Sequence, residues 1–195
     1  MQQRSEAPRS HILEAALKCF SRSGFEATGV AEICSEAGVS KGAFYHHFPS
    51  KQAVFMELLE NWLGLLDQQL GAARLEAHDV PAGLLSMVAT ARPVFQDADH
   101  QLPMFLEFWT QSIRNPEIWA TTVAPYRRYE AYFARLVQEG IEEGSFADVD
   151  PMLASRVLLA LAMGVLLQGL MDPKGAAWGE EASRGFEIIL KGLRR

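Results

Sequence analysis

Residues 28–48 read TGVAEICSEAGVSKGAFYHHF. Apolar residues recur at three- and four-residue spacing on either side of Ala37-Gly38-Val39, where a glycine accepts the positive φ that a tight turn between two helices commonly needs. Thr28 reads as the N-cap of a short helix over about Gly29–Ala37, and Ser40 as the cap of another reaching about His47. Val30, Ile33, Cys34, Val39, Phe44 and Phe48 have the spacing to pack on a preceding helix, about Pro8–Ser23. That helix has Leu13, Ala16, Leu17 and Phe20 on one face and Gly24 as its stop. The face left over on the last short helix holds Ser40, Lys41, Gly42, Ala43, Tyr45, His46 and His47. The pattern is a helix-turn-helix with a candidate recognition helix.

Gly42 is informative because a glycine inside a helix costs about 1 kcal/mol against alanine. That loss is tolerable where another surface, such as the floor of a DNA major groove, must approach the backbone. Lys41 beside it can reach guanine O6 and N7 or a phosphate. The free N–H groups at Ser40 suit phosphate. Tyr45, His46 and His47 supply donors that can flank the groove, and Lys51 and Thr28 are expected on backbone phosphate. Taken singly, each feature also fits two packed helices with a solvated polar face. A metal at His46 and His47 is not expected, since adjacent helical residues diverge by about 100° and no third ligand stands near.

Outward from this segment the pattern stays helical. The chain has 195 residues, 49% hydrophobic and 22% charged, with a net charge of −6. This composition fits a globular domain better than a disordered or membrane-embedded one. About nine helices are expected and no strands, an all-α protein. A long fourth helix starts at Pro49-Ser50 and runs toward Leu70. The fifth covers about Pro81–Gln96, and the sixth runs from Leu102-Pro103 to Asn115-Pro116. The seventh is placed at about Thr122–Glu143, the eighth from Asp150-Pro151 to Asp172-Pro173, and the ninth over about Gly179–Leu193. Residues 1–55 hold six basic and five acidic side chains with three of the five histidines, whereas residues 56–195 hold twelve basic and nineteen acidic. A near-neutral head on an acidic body keeps a phosphate-binding partner open despite the overall charge. Two cysteines, Cys19 and Cys34, make no disulfide framework. No signal peptide is visible. The uncharged run Val157–Met171 is 15 residues long, short of the roughly 20 a membrane span needs, so it reads as a buried helix in a cytoplasmic protein.

The stretches ILEAALKCFSRSGFEATGV and AEICSEAGVSKGAFYHHFPSKQAVF, within Ile12–Phe55, resemble the N-terminal domain of the TetR (tetracycline-repressor-like) family of transcriptional regulators. The resemblance covers about a quarter of the chain and is nearly gapless. Gly29 after Thr28 departs from it, and weakens the start of the second helix. The resemblance implies a DNA-binding domain over residues 1–50 and a ligand-binding and dimerisation domain over 51–195. It implies a homodimer on a palindromic double-stranded DNA operator, its two recognition helices about 34–36 Å apart, and a repressor released by a small-molecule effector. By position in the motif, Lys41, Gly42 and Ala43 would approach base edges. Thr28, Ser40, Tyr45, His46, His47 and Lys51 would hold the backbone. With so few base readers, part of the specificity is expected from DNA shape. No cofactor, metal or membrane is implied.

In the body, residues 104–133 contain eight of the nineteen aromatics. Phe105, Phe108, Trp109 and Ser112 share a face of the sixth helix, and Tyr126 and Tyr129 follow the same spacing on the seventh. A filled core explains each singly. The resemblance favours an apolar cavity with polar anchors, for which Trp62, Met87 and Met163 are further candidates. A cationic ligand would find a cation–π partner in Trp109. The eighth helix is apolar on nearly all sides and so must be covered all round. Ala160, Gly164 and Gln168, four apart, permit close helix approach. With Phe186, Ile189, Leu190 and Leu193 of the ninth they are expected to form an isologous dimer face. Two rivals stand beside this reading: a DNA-binding module without ligand control, and a helical-bundle enzyme. Di-iron chemistry in a bundle uses Glu-x-x-His pairs, which the sequence lacks.

Overall fold

The computed structural model describes residues 3–90, 102–113 and 116–194. Among them are nine helices and no strand, apart from an isolated antiparallel bridge between Phe146 and Arg194. The helices are α1 (Gln3–Ser23), α2 (Val30–Ala37), α3 (Lys41–His47), α4 (Lys51–Leu75), α5 (Val80–Thr90), α6 (Leu102–Ser112), α7 (Pro116–Glu142), α8 (Pro151–Met171) and α9 (Trp178–Leu193). The chain forms two compact units, Met1–Leu65 with His100–Pro116, and Leu66–Asp99 with Glu117–Arg195. The first compact unit therefore takes in α6 and more than half of α4 besides the expected residues 1–50.

Four aromatic rings organise the first unit. Phe108 of α6 stacks on Phe55 of α4 at 4.0 Å and 20°, and meets Phe25 edge-on at 4.9 Å. Phe20 completes the group, 5.4 Å from Phe25 and 5.8 Å from Phe55. Ile12, Ala16, Cys19, Ile33, Phe44 and Val54 are buried beside them in this unit. Burying each large side chain contributes roughly 1.5–3 kcal/mol, which lets α2 and α3, only eight and seven residues long, hold a shape that neither would keep alone.

The second unit has its own core, in which Leu70, Val80, Leu84, Met87, Leu136, Val137, Phe146, Leu158, Phe186 and Leu190 are buried together. Asp150 starts α8 by accepting the N–H groups of Met152 (2.8 Å) and Leu153 (3.2 Å), with Pro151 in the first turn. α8 lies on α7 through the Ser155 hydroxyl, which donates to the Glu130 carbonyl at 2.7 Å, and an Arg156–Glu130 ion pair at 2.8 Å. Gly169 brings it close to α9: a Cβ there would stand 3.3 Å from the Trp178 ring, whose Nε1–H donates to the Asp172 carbonyl.

Several boundaries differ from the sequence reading; the fourth helix, expected toward Leu70, runs on to Leu75. α1 begins at Gln3 and holds Pro8 inside it. α7 begins at Pro116, six residues before Thr122, with Pro125 in its interior; a proline at a first helical position opens a helix as readily as it ends one. α2 begins one residue late, for a reason taken up below. The end of the fifth helix toward Gln96 lies outside the described residues, as do Asn115 and His100. α8 is long and apolar enough to cross a membrane, yet only 22% of its apolar stretch is buried. One face packs on the protomer and the other is left open, as expected of a helix whose second face needs a partner.

Candidate nucleic-acid interface

The turn between α2 and α3 is made by Gly38, at φ 66° and ψ 30°, a left-handed conformation that favours glycine. The Val39 N–H donates to the Cys34 carbonyl at 3.0 Å, closing α2. Ser40 then caps α3, its Oγ accepting the Ala43 N–H at 3.1 Å. Ile33, Cys34, Phe44 and Phe48 are buried as their spacing predicted, while Val30 and Val39 are half-buried. The α1 and α2 surfaces are tied by the Arg22–Glu32 (2.8 Å) and Lys18–Glu36 (3.8 Å) pairs.

With Phe44 turned inward, the opposite side of α3 is open. Ser40, Lys41, Gly42, Tyr45 and His46 are exposed, and Ala43 and His47 are half-buried. The His46 and His47 rings meet edge-on at 5.1 Å. A Cβ added at Gly42 would find only the Ser40 Oγ, at 3.7 Å. Among the described residues nothing else approaches closely enough to require a glycine there.

Two expected phosphate contacts are committed elsewhere. Thr28 is buried, and its hydroxyl donates to the Gly24 carbonyl at 2.7 Å, with that of Cys19 3.2 Å away. Turned back onto α1, it cannot cap α2, so Gly29 takes that position without a side-chain hydrogen bond. The Lys51 ammonium donates to the carbonyls of Phe25 (2.7 Å), Glu26 (3.2 Å) and Thr28 (2.8 Å), and lies 4.4 Å from the centre of the Phe25 ring. It is a staple across the α1–α2 turn. Sequence reasoning missed the residue on the other side of that turn. Glu107 of α6 accepts the N–H groups of Phe25 and Glu26, one on each carboxylate oxygen, both at 3.0 Å. A contact between residues 81 and 82 positions apart leaves no signal in local spacing.

The expected effector contacts fall in both units. In the first, Phe108 is part of the aromatic core just described. Ser112 is buried with its hydroxyl donating to the Trp109 carbonyl at 2.9 Å, and Trp62 and Trp109 are half-buried. The side chain of Phe105 lies outside the described residues. In the second, Met87 belongs to the core and Met163 faces outward, 38% exposed. Tyr126 is half-buried. Tyr129 donates to Asp67 Oδ1 at 2.6 Å while Arg128 donates to Oδ2 at 3.0 Å, an arrangement that pins α7 to α4. Burial, then the hydrogen bond to Asp67, pushes the Tyr129 phenol well up.

The expected dimer face divides similarly. Phe186 and Leu190 are buried in their own protomer's core, and Ile189 and Leu193 pack against it half-buried. Phe186 and Leu190 are thus unavailable to a partner. Ala160 and Gln168 are exposed, and Gly164 has open space where a Cβ would stand. The sequence reading did not single out the exposed Leu153, Val157, Leu167 and Met171 of α8 and Ile188 of α9.

A helix-turn-helix whose second helix leaves a polar, lysine-bearing face open, followed by a helical body, defines a DNA-binding regulator. Residues 12–58 match the family described as bacterial regulatory proteins, tetR family, and residues 81–187 match the BetI-type transcriptional repressor, C-terminal family. The chain belongs to the TetR family of transcriptional regulators and is not an enzyme. It is similar to the HTH-type transcriptional regulator UidR of Escherichia coli K12, 28% identical over 199 residues, 99% of this chain and 96% of that one. A putative transcriptional regulator from Pseudomonas aeruginosa PAO1 has the same fold, with a TM-score of 0.83, 26% identity, and 94% and 88% of the two chains covered. Another, from Saccharomonospora viridis and solved in complex with choline, gives a TM-score of 0.79 and 26% identity over 96% of this chain and 98% of that one.

Proposed function

We propose that the chain acts in the cytoplasm as a homodimeric repressor on a palindromic operator, released by a small apolar or aromatic effector. The observation that carries this reading is the open face of α3: lysine, glycine, tyrosine and histidine, capped at Ser40. Lys41, Gly42 and Ala43 approach base edges, while Ser40, Tyr45, His46 and His47 hold phosphates. The second copy is supported by the apolar row Leu153, Val157, Ala160, Gly164, Leu167 and Met171, which repeats at three- and four-residue spacing along α8. A face of this kind favours a partner helix over water. The effector contacts proposed are those in the first unit, Trp62, Trp109 and Ser112. Choline in the S. viridis regulator supports testing small cations too, for which Trp109 offers a cation–π surface.

Binding to the selected operator is measured with and without a panel of apolar, aromatic and quaternary-ammonium molecules. Release by a member of that panel, at concentrations that also raise the melting temperature, supports effector control. A melting temperature and an operator affinity that no member moves favour a regulator without small-molecule control.

A further inference from the structure

We infer that Glu107 of α6 is a positioning residue for DNA recognition: its carboxylate holds the α1–α2 turn in the form that presents α2 and α3. Successive backbone N–H groups pointing the same way make an anion-binding concavity. Here the N–H groups of Phe25 and Glu26 make one, and the protein's own carboxylate fills it, one oxygen to each. The carbonyls of the same two residues, with that of Thr28, are taken by Lys51. An acid from α6 and a base from α4 therefore hold one short turn from its two polar sides. The turn itself is shaped to the acid: Gly24 has φ 82°, and a Cβ there would run into the Glu107 carboxylate.

Two features separate this role from ordinary packing. The buried residues of the helix-turn-helix, Ile33, Cys34, Phe44 and Phe48, all lie outside α6, so Glu107 is expected to aim the motif and not to close it. Phe108, the next residue, is held between Phe25 and Phe55, which fixes α6 against the turn. Trp109 and Ser112 stand two and five residues beyond Glu107 on the same helix. Any movement of α6 that displaces them also displaces the carboxylate. This last step rests on the proposed effector contacts; the clamp on the turn does not.

The test compares wild type, Glu107→Gln and Glu107→Ala on a duplex selected by the wild type and on random-sequence duplex, with amide exchange read at Phe25 and Glu26. A head that is competent only a fraction of the time binds more weakly by that fraction. Glu107→Ala is thus expected to weaken the selected duplex about tenfold and random duplex less than about twofold, with Glu107→Gln between. The Phe25 and Glu26 amides are expected to be protected in wild type and to lose that protection in Glu107→Ala, while the Ile33 and Phe44 amides keep theirs. An unchanged ratio of selected to random affinity overturns the proposal. So does wild-type exchange at Phe25 and Glu26 as fast as in an open loop. If Glu107→Ala fails to fold, the glutamine variant and the wild-type exchange decide. A wild type that selects no duplex counts against the operator reading instead, and leaves the clamp to be judged by exchange.

Discussion

α3 and α8 each leave one face uncovered, and the two faces differ in chemistry. On α3 the open side is lysine, glycine, tyrosine and histidine; on α8 it is leucine, valine, alanine and methionine. The first can be wetted and remain as it is, whereas the second gains free energy only by being covered, at about 25 cal/mol per Å² of apolar surface removed from water. α3 is also seven residues long and depends on its caps and one buried phenylalanine, while α8 is a 21-residue helix anchored on α7 and α9. Such a contrast teaches that the surface proposed for a charged, exchangeable partner sits on a small well-capped element, and the surface proposed for a second copy sits on a long one.

The sharpest way to break this contrast is to give α8 the chemistry of α3. Leu153→Glu with Leu167→Glu buries two unpaired carboxylates from each protomer in any dimer that covers this face of α8, a cost of about 3–5 kcal/mol or more. Sedimentation equilibrium is expected to show the mass falling from dimer to monomer, and operator affinity falls with it. An unchanged mass would place the interface elsewhere. Next in size, Lys41→Ala is expected to lose about 1–3 kcal/mol of preference at one base position, with random duplex little affected. Equal losses on both duplexes would make Lys41 a phosphate contact.

Lys51→Ala tests whether the head's turn is held from inside. Loss of its bonds to three carbonyls is expected to destabilise the protein by about 2 kcal/mol and leave the salt dependence of DNA binding alone. A phosphate contact would instead lower the salt slope by about 0.9. Gly42→Ala sharpens the contrast by separating two signs. With open space around the new methyl group, alanine is expected to stabilise α3 by up to about 1 kcal/mol and still weaken operator binding. A variant stabler and equally tight would show that nothing approaches the backbone there.

The smallest effect concerns the body. Because the Tyr129 phenol is raised above its unfolded value of about 10 by burial and Asp67, its contribution is fully present below about pH 10. It is lost as pH rises through the higher folded value. Alkaline denaturation of Tyr129→Phe is expected to lack that loss and to start from a slightly less stable protein. Parallel curves for the two proteins would contradict the pin between α7 and α4.

How much of this was legible depended on the range of the interaction. Helix periodicity, Gly38 at the turn, the Ser40 cap and the inward set Ile33, Cys34, Phe44 and Phe48 are local, and they were read from spacing. The direction in which a side chain spends its polar group is set by the fold. Thr28 and Lys51 look like donors awaiting phosphate until the carbonyls of Gly24 and of residues 25, 26 and 28 are seen beside them. On α9, periodicity put Phe186, Ile189, Leu190 and Leu193 on one apolar face and could not tell whether the protomer's own core or a partner's would cover it. Phe186 and Leu190 went to the protomer. Glu107 had no local signature at all.

The open face of α3 as a DNA reader is tested most directly by selecting duplexes from a random-sequence pool at near-physiological salt and sequencing what is retained. The account predicts an enriched site with two-fold symmetry, its half-sites about one helical turn apart or a multiple of it, and weaker enrichment at one base position with Lys41→Ala. No enriched sequence from a folded, dimeric protein, with or without the effector panel, would contradict it.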